Sequence, residues 1–267
     1  MSILYCDCFS GVSGDMFLGA LLDAGLPIEY LSNQLRLLDL HDFYGVTIEK
    51  VHKGALIATL IKLDIHGHID DHHDEDHHSH HRHLSDIRNL IEASGLSERV
   101  KQTSLQIFQK LAEAEAKVHG STIDDVHFHE VGAVDSILDI VGAAIGLEFF
   151  EVEAIYASPL PLGTGQVFTQ HGVLPLPAPA TMELIRLAQA PVIASSATVE
   201  LVTPTGAAIL AALAQFHQPD MNITHIGIGA GKRDLDWPNI LRVMIGNPIK
   251  ESGTHLEIET NIDDMNP

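Results

Sequence analysis

Basic residues are scarce in this chain: 15 Lys and Arg stand against 36 Asp and Glu, giving a formal net charge of -21. That balance argues against a nucleic-acid partner, because affinity for a phosphate backbone rests largely on Lys and Arg displacing counterions. An acidic field favours metal cations instead. Cysteine is limited to Cys6 and Cys8, one residue apart, which is a poor spacing for a structural disulfide and consistent with a reducing compartment. On a strand both thiols face one side, as small core residues or as soft metal ligands. No stretch approaches the 18 apolar residues of a membrane span. The start MSILYCDCFSGVSG has neither a basic n-region nor an uninterrupted apolar h-region. No membrane partner is expected, and the cytoplasm is the default location.

What is present is enough apolar material for a core. The 267 residues are 45% hydrophobic, which suits one large domain or two small ones. One segment departs from this. Nine of the 18 histidines fall in HGHIDDHHDEDHHSHHRH, at His66, His68, His72, His73, His77, His78, His80, His81 and His83. Neutral imidazole suits nickel, zinc and copper, and the interleaved carboxylates concentrate cations. With no aromatic or long aliphatic anchor, the run is expected to be a long disordered His/Asp-rich loop that collects divalent metal. The alternatives are a solvated linker or a cloning tag, and the run's internal position and irregular mixture with acids speak against a tag.

Along the chain, Ile3 to Phe9 reads as a buried strand, followed by a glycine turn and a helix from Met16 to Ala24. A helix after Pro27 precedes a hairpin of strands near 46–51 and 56–65, joined at Lys53-Gly54. Helices are expected from Ser85 to Ala93, from Val100 to Val118 with Ser97 before and Gly120 after, and from Val134 to Phe150. The last is apolar almost all round and should be buried. Strands near 126–129 and 154–158, a Pro- and Gly-rich ordered stretch, helices from Ala180 and Ala207, and strands near 223–228 and 239–245 complete the pattern. No repeat of fixed period occurs. The alternation predicts an α/β fold with a mixed sheet and flanking helices. Residues 1–252 are read as one domain and 253–267 as the start of a truncated C-terminal domain.

Five constellations bear chemistry. In DCFSGVSGD, the backbone of Ser10, Gly11, Ser13 and Gly14 opens a helix and suits an anion. It is not a P-loop, since Gly-Lys-Ser/Thr is absent. Asp7 and Asp15 beside it are candidates for holding a divalent ion, with Asp15 as an ordinary helix cap the competing reading. In HFHEVGAVDSILD, His127 and His129 share a strand face about 7 Å apart and could converge on one ion. Glu130 follows, and Asp135 and Asp139 share one face of an otherwise apolar helix, where unpartnered acids are costly. Local capping or a hydrogen-bonded core histidine is the alternative. His171-Gly172 with its prolines, and Thr203, Thr205 and Gly206 of TPTG, fix backbone before helices and could line a cleft, though both also read as rigid turns. Finally, Lys232 and Arg233 in HIGIGAGKRD are rare cations that suit a substrate phosphate or a salt bridge. Asp7, Asp15, Glu130 and Asp135 are the candidate catalytic groups.

Taken together, YCDCFSGVSGDMFLGALLD, the histidine run, AEAEAKVHG, VHFHEVGAVDSILDIVGAA, SPLPLGTG, HGVLPLPAPAT, ELVTPTGAA, GIGAGKRD and NILRVMIG resemble the LarC family of nickel-insertion proteins over nearly the whole chain. The resemblance implies insertion of Ni(II) into pyridinium-3,5-bisthiocarboxylic acid mononucleotide, a cyclometallation consuming CTP and placed in the lyase class. Its product is the nickel-pincer nucleotide cofactor, with lactate racemase as recipient. Forming the nickel–carbon bond requires loss of a ring proton, so a carboxylate or imidazole acts as base. The resemblance places CTP, with a divalent metal, in a domain after ETNIDDMNP, to be supplied in cis or in trans. A homo-oligomer is among the expected partners. Competing classes are a passive nickel store or chaperone, and a metal-dependent phosphohydrolase or nucleotidyl transferase built on Asp7, Asp15 and the glycine turn.

Overall fold

The structure is a computed structural model that describes residues 2–65, 82–128, 134–169 and 172–249. The histidine run as far as His81, the segment holding His129 and Glu130, and the expected second domain from 253 lie outside the described residues.

Strand β1 (Ser2–Asp7) runs through the glycine turn into α1 (Gly14–Asp23), and α2 (Ile28–Leu35) follows Pro27. Strands β2 (Phe43–Lys53) and β3 (Leu56–Ile65) form the expected hairpin, with Val46 opposite Leu63 and Lys53 opposite Leu56. The two-residue β4 (Arg82–His83) leads into α3 (Leu84–Ala93) and then α4 (Glu98–His119). Next come β5 (His127–Phe128), α5 (Val134–Phe149) and β6 (Val152–Ala157). The Pro- and Gly-rich stretch supplies β7 (Leu160–Leu162), β8 (Gln166–Thr169) and β9 (Gly172–Pro175), followed by α6 (Pro179–Leu187) and β10 (Val192–Ala194). The chain then forms α7 (Pro204–Leu213), β11 (Ala214–Gln215), β12 (Met221–Ala230) and β13 (Ile240–Pro248).

Seven strands form one sheet in the order β11-β6-β1-β13-β12-β3-β2. It is mixed: β1 is parallel to β6 but antiparallel to β13, and β12 is parallel to β3. Side chains alternate across it, as strand geometry requires. Leu4 and Cys6 of β1 and Val243 and Ile245 of β13 join the helix-covered core, whereas Asp7 and Arg242 pair on the opposite side. The core lies between the sheet and α1, α5 and α7, and continues outward where α4 packs on α5, α6 and α7. Phe17, Phe108 and Phe128 are fully buried there, each contributing about 1.5–3 kcal/mol relative to exposure. Cys6 and Cys8 are buried, unbridged members of the same core. Burial pushes the Cys8 thiol up to about 12, despite the opposing hydrogen bond from Ser158, and raises Cys6 well above its ordinary value.

Helix ends follow local chemistry. Ser97 caps α4 by accepting from the Val100 amide at 3.2 Å, and Gly120 ends it in the left-handed conformation. Two of the boundaries that differ from expectation are explained by their caps. α3 is capped by His83 rather than Ser85, through a box in which the His83 side chain and Asp86 satisfy each other's backbone amides. α7 starts at Pro204 and not Ala207, because Thr203 caps it and proline suits the first helical position. It stops at Leu213, where Ala214 turns extended to pair with β6.

Candidate functional site

Two turns far apart in sequence lie against each other. The Val12 amide donates to the Leu201 carbonyl and the Thr203 amide to the Val12 carbonyl, both at 3.0 Å. Gly11 adopts φ +98°, and a Cβ there would lie 1.9 Å from the Leu201 carbonyl oxygen, so only glycine allows this approach. The contact sets the starts of α1 and α7 side by side. Ser13 caps α1 and Thr203 caps α7; the Gly14 amide crosses between them to Thr205 Oγ1 at 3.2 Å, and Thr205 Oγ1 lies 3.0 Å from Thr203 Oγ1.

A cavity of about 340 Å³ opens over these helix starts. Ser13, Thr203 and Thr205 line one part of it, Lys232 and Arg233 another, and Asp15, Asp135, Asp139 and Glu200 supply carboxylates. Asp15 is engaged: the Ser13 hydroxyl and the Met16 amide donate to it, and Lys232 Nζ lies 3.5 Å from its Oδ2. Asp135, in the first turn of α5, accepts from the Ser136 amide at 2.9 Å. Asp139, one helical turn further on, is different. Its Oδ1 is closed to solvent and has no hydrogen-bond partner among the described residues. Burial, then the charges of Asp15 and Asp135, push its carboxyl well above the usual range, and Lys232 opposes them only in part. A Cβ on Gly14 would fall 2.4 Å from Asp139 Oδ2, so the bare glycine is what makes room for this carboxylate under α1.

The loop carrying the two cations is pinned from below. Lys53, buried at the end of β2, donates to the Arg233 carbonyl at 3.1 Å and to Asp234 at 2.6 Å. Asn239 Nδ2 donates to the same carbonyl at 3.0 Å.

The sequence-derived residues are therefore distributed unevenly. Ser13, Asp15, Asp135, Thr203 and Thr205 meet at the cavity wall. Gly14 lies just beneath it, packed against Asp139. Ser10 is buried and accepts from the Trp237 indole at 3.0 Å, and Gly11 serves the turn contact. Asp7 is separate from the cavity lining, paired with Arg242 at 2.5 Å. The His83 side chain caps α3. The backbone of His127 pairs with that of His83, so the strand following the histidine run is zipped to the strand preceding α5. The His127 side chain, like His66 to His81, His129 and Glu130, is outside the described residues. Among the described residues no group of three or more His, Cys, Asp or Glu side chains is gathered to hold a metal ion. Glu200 and Asn239 are site residues not selected from sequence, and Asp139, singled out there beside Asp135, was not placed among the candidate catalytic groups. Asp139 had a signal, its position four residues after Asp135 on an apolar face; Asn239 had none.

A mixed α/β fold whose first and last described helices open on one polar cavity defines a small-molecule site rather than a macromolecular surface. The chain belongs to the nickel insertion protein family, whose profile it matches over residues 4–267. It is 48% identical over 271 residues to a putative nickel insertion protein of Dictyoglomus thermophilum, covering 100% of this chain and 67% of that relative. It is 47% identical over 273 residues to the pyridinium-3,5-bisthiocarboxylic acid mononucleotide nickel insertion protein of Clostridium kluyveri, covering 100% of this chain and 68% of the relative. A protein of the same description from Desulfitobacterium hafniense is 46% identical over 278 residues, with 100% and 66% covered. The chain thus spans about two thirds of the length of these relatives. No solved structure matches it. No helix among the described residues is long and apolar enough to cross a membrane.

Proposed function

We propose that this chain gathers Ni(II) and inserts it into pyridinium-3,5-bisthiocarboxylic acid mononucleotide at the cavity between α1, α5 and α7, acting as a lyase-class cyclometallase. The observation that carries this reading is the cavity's division of charge. Lys232, Arg233 and the two capped helix starts suit the anionic groups of the ligand, and Asp15 of α1 and Asp135 of α5 suit a cation. The histidine run, with His127 and His129, is the nickel collector in this scheme. The pairing of β4 with β5 supports it, because it ties the end of that run to the strand that feeds α5 and its two aspartates. CTP, with its divalent metal, is assigned to the additional length of the relatives, acting in cis or in trans. The product is the nickel-pincer cofactor, handed to lactate racemase or a relative in the cytoplasm.

Calorimetric titration of the full-length protein tests the scheme with two variants. Deleting 66–81 is expected to remove most bound nickel and leave ligand affinity unchanged. Replacing Lys232 and Arg233 together by Met is expected to do the opposite. Undiminished nickel stoichiometry in the deletion would remove the run from its assigned role. Undiminished ligand affinity in the double variant would remove the cavity.

A further inference from the structure

We propose that Asp139 is the catalytic base of nickel insertion, the group that receives the hydrogen lost from the pyridinium ring. The inference rests on the cavity assignment above and names the residue that performs its central step.

The ligand's chemistry sets the requirement. A pyridinium ring with thiocarboxylates at positions 3 and 5 offers two sulfurs that hold one nickel ion over the ring carbon between them. Inserting the metal there breaks the C4–H bond heterolytically. The electron pair becomes the nickel–carbon bond, the proton passes to a base, and nickel remains Ni(II) throughout. No oxidant or reductant enters. The site must therefore present an acceptor that is not already engaged, in a place where water does not compete.

Asp139 meets this description best among the cavity's aspartates. Asp15 already receives the Ser13 hydroxyl, the Met16 amide and the Lys232 ammonium, and Asp135 receives the Ser136 amide. Lys232 and Arg233 are donors. Asp139 lines the cavity, its Oδ1 is closed to bulk water, and no donor among the described residues reaches that oxygen. An unsatisfied buried carboxylate oxygen is costly in a helix as apolar as α5, which buries eleven residues including Ile137, Leu138, Ile140 and Val141. Gly14 leaves it the room it occupies, since any side chain there would collide with it. The same surroundings raise its affinity for a proton, so accepting one from the ring is favoured. An arriving dication supplies the counter-charge that the ionised form otherwise lacks.

The test uses the full-length protein with nickel, CTP and the mononucleotide, following nickel–thiolate absorbance. Asp139→Asn preserves shape and removes basicity. It is expected to lower the insertion rate by about 100-fold or more while ligand affinity and nickel uptake stay at wild-type levels. The wild-type rate is expected to rise with pH along a one-proton limb centred above the ordinary carboxylate range, and the variant is expected to lack that limb. Insertion at the wild-type rate in a variant that binds ligand normally overturns the base assignment and leaves the cavity standing. Loss of ligand binding in Asp139→Asn overturns it too, because the residue would then be a binding group. A wild-type rate that is flat between about pH 5 and pH 8 overturns it without any variant. Failure of the cavity reading itself is read separately, from unaltered ligand affinity when Lys232 and Arg233 are replaced.

Discussion

Replacing Gly229 by alanine is expected to lift α1 off the sheet. Strand β12 passes directly beneath that helix, and a Cβ on Gly229 would lie 1.8 Å from the Met16 carbonyl oxygen and 2.7 Å from the Ala20 amide nitrogen. Ordinary contact begins at 3.4 Å, so a deficit of about 1.6 Å must be made up. Both opposing atoms are backbone, and no side chain can rotate away. Nor is α1 free to retreat, since Met16, Phe17, Leu18 and Leu21 are anchored in the core at 0–3% exposure. Overpacking of this kind costs about 3 kcal/mol, at the upper end of the usual range. For a chain of this size that is a fall in Tm of about 6–12 °C. Because α1 carries Ser13 and Asp15, ligand affinity is expected to fall with it. The control is Gly45→Ala in β2, where the nearest atom, Arg36 Nη2, is 4.0 Å away and a change within about 0.5 kcal/mol is expected. Thermal melts of the two variants side by side decide the matter. A Gly229→Ala protein melting within about 2 °C of the control would refute the crowding argument.

Asp139→Asn is expected to be more stable than wild type at neutral pH. Its carboxyl is raised by burial and by Asp15 and Asp135, so the folded chain keeps a proton that the unfolded chain loses above about pH 4. The wild type therefore loses stability as pH rises between the unfolded and folded values, and the variant escapes that loss by about 1.4 kcal/mol for each pH unit of separation. Urea melts at pH 3 and pH 7 should show parity at the lower pH and a gain at the higher; a variant less stable at pH 7 contradicts the burial argument. Lys53→Met removes the donor to the Arg233 carbonyl and is expected to cost about 1–2 kcal/mol. It should also speed hydrogen exchange at the amides from Gly231 to Asn239. Unchanged exchange there would show that the loop does not depend on Lys53.

Much of the architecture could be read from local pattern. The strand–glycine–helix opening, the hairpin at Gly54, the span of α4 between Ser97 and Gly120, and the buried α5 all follow from periodicity and capping, which act over a few residues. Sequence marked the 10–14 turn as suiting an anion and the 203–206 turn as a cleft wall, as two separate places. Their juxtaposition depends on hydrogen bonds between Val12 and residues about 190 positions later, and no local pattern carries that distance. Asp7 shows the same limit from the other side. It ends the same strand that leads to Asp15, yet the alternation of β1 and the register with β13 commit it to Arg242 on the opposite side of the sheet. Asp139 was visible as a costly acid in an apolar helix, but that its Oδ1 meets no donor among the described residues is a three-dimensional fact.

The position of β1 has a consequence for the nascent protein. Among the described strands it is synthesised earliest and its neighbour β13 latest: Ile3 pairs with Gly246, after almost the whole described chain. At about 5–20 residues per second, some 10–50 s separate the two strands during synthesis. Throughout that interval Leu4, Cys6 and Cys8 lack one wall of their final enclosure. The two thiols, inert once folded, are then open to oxidation and alkylation, and an apolar edge is open to chaperones or to other chains.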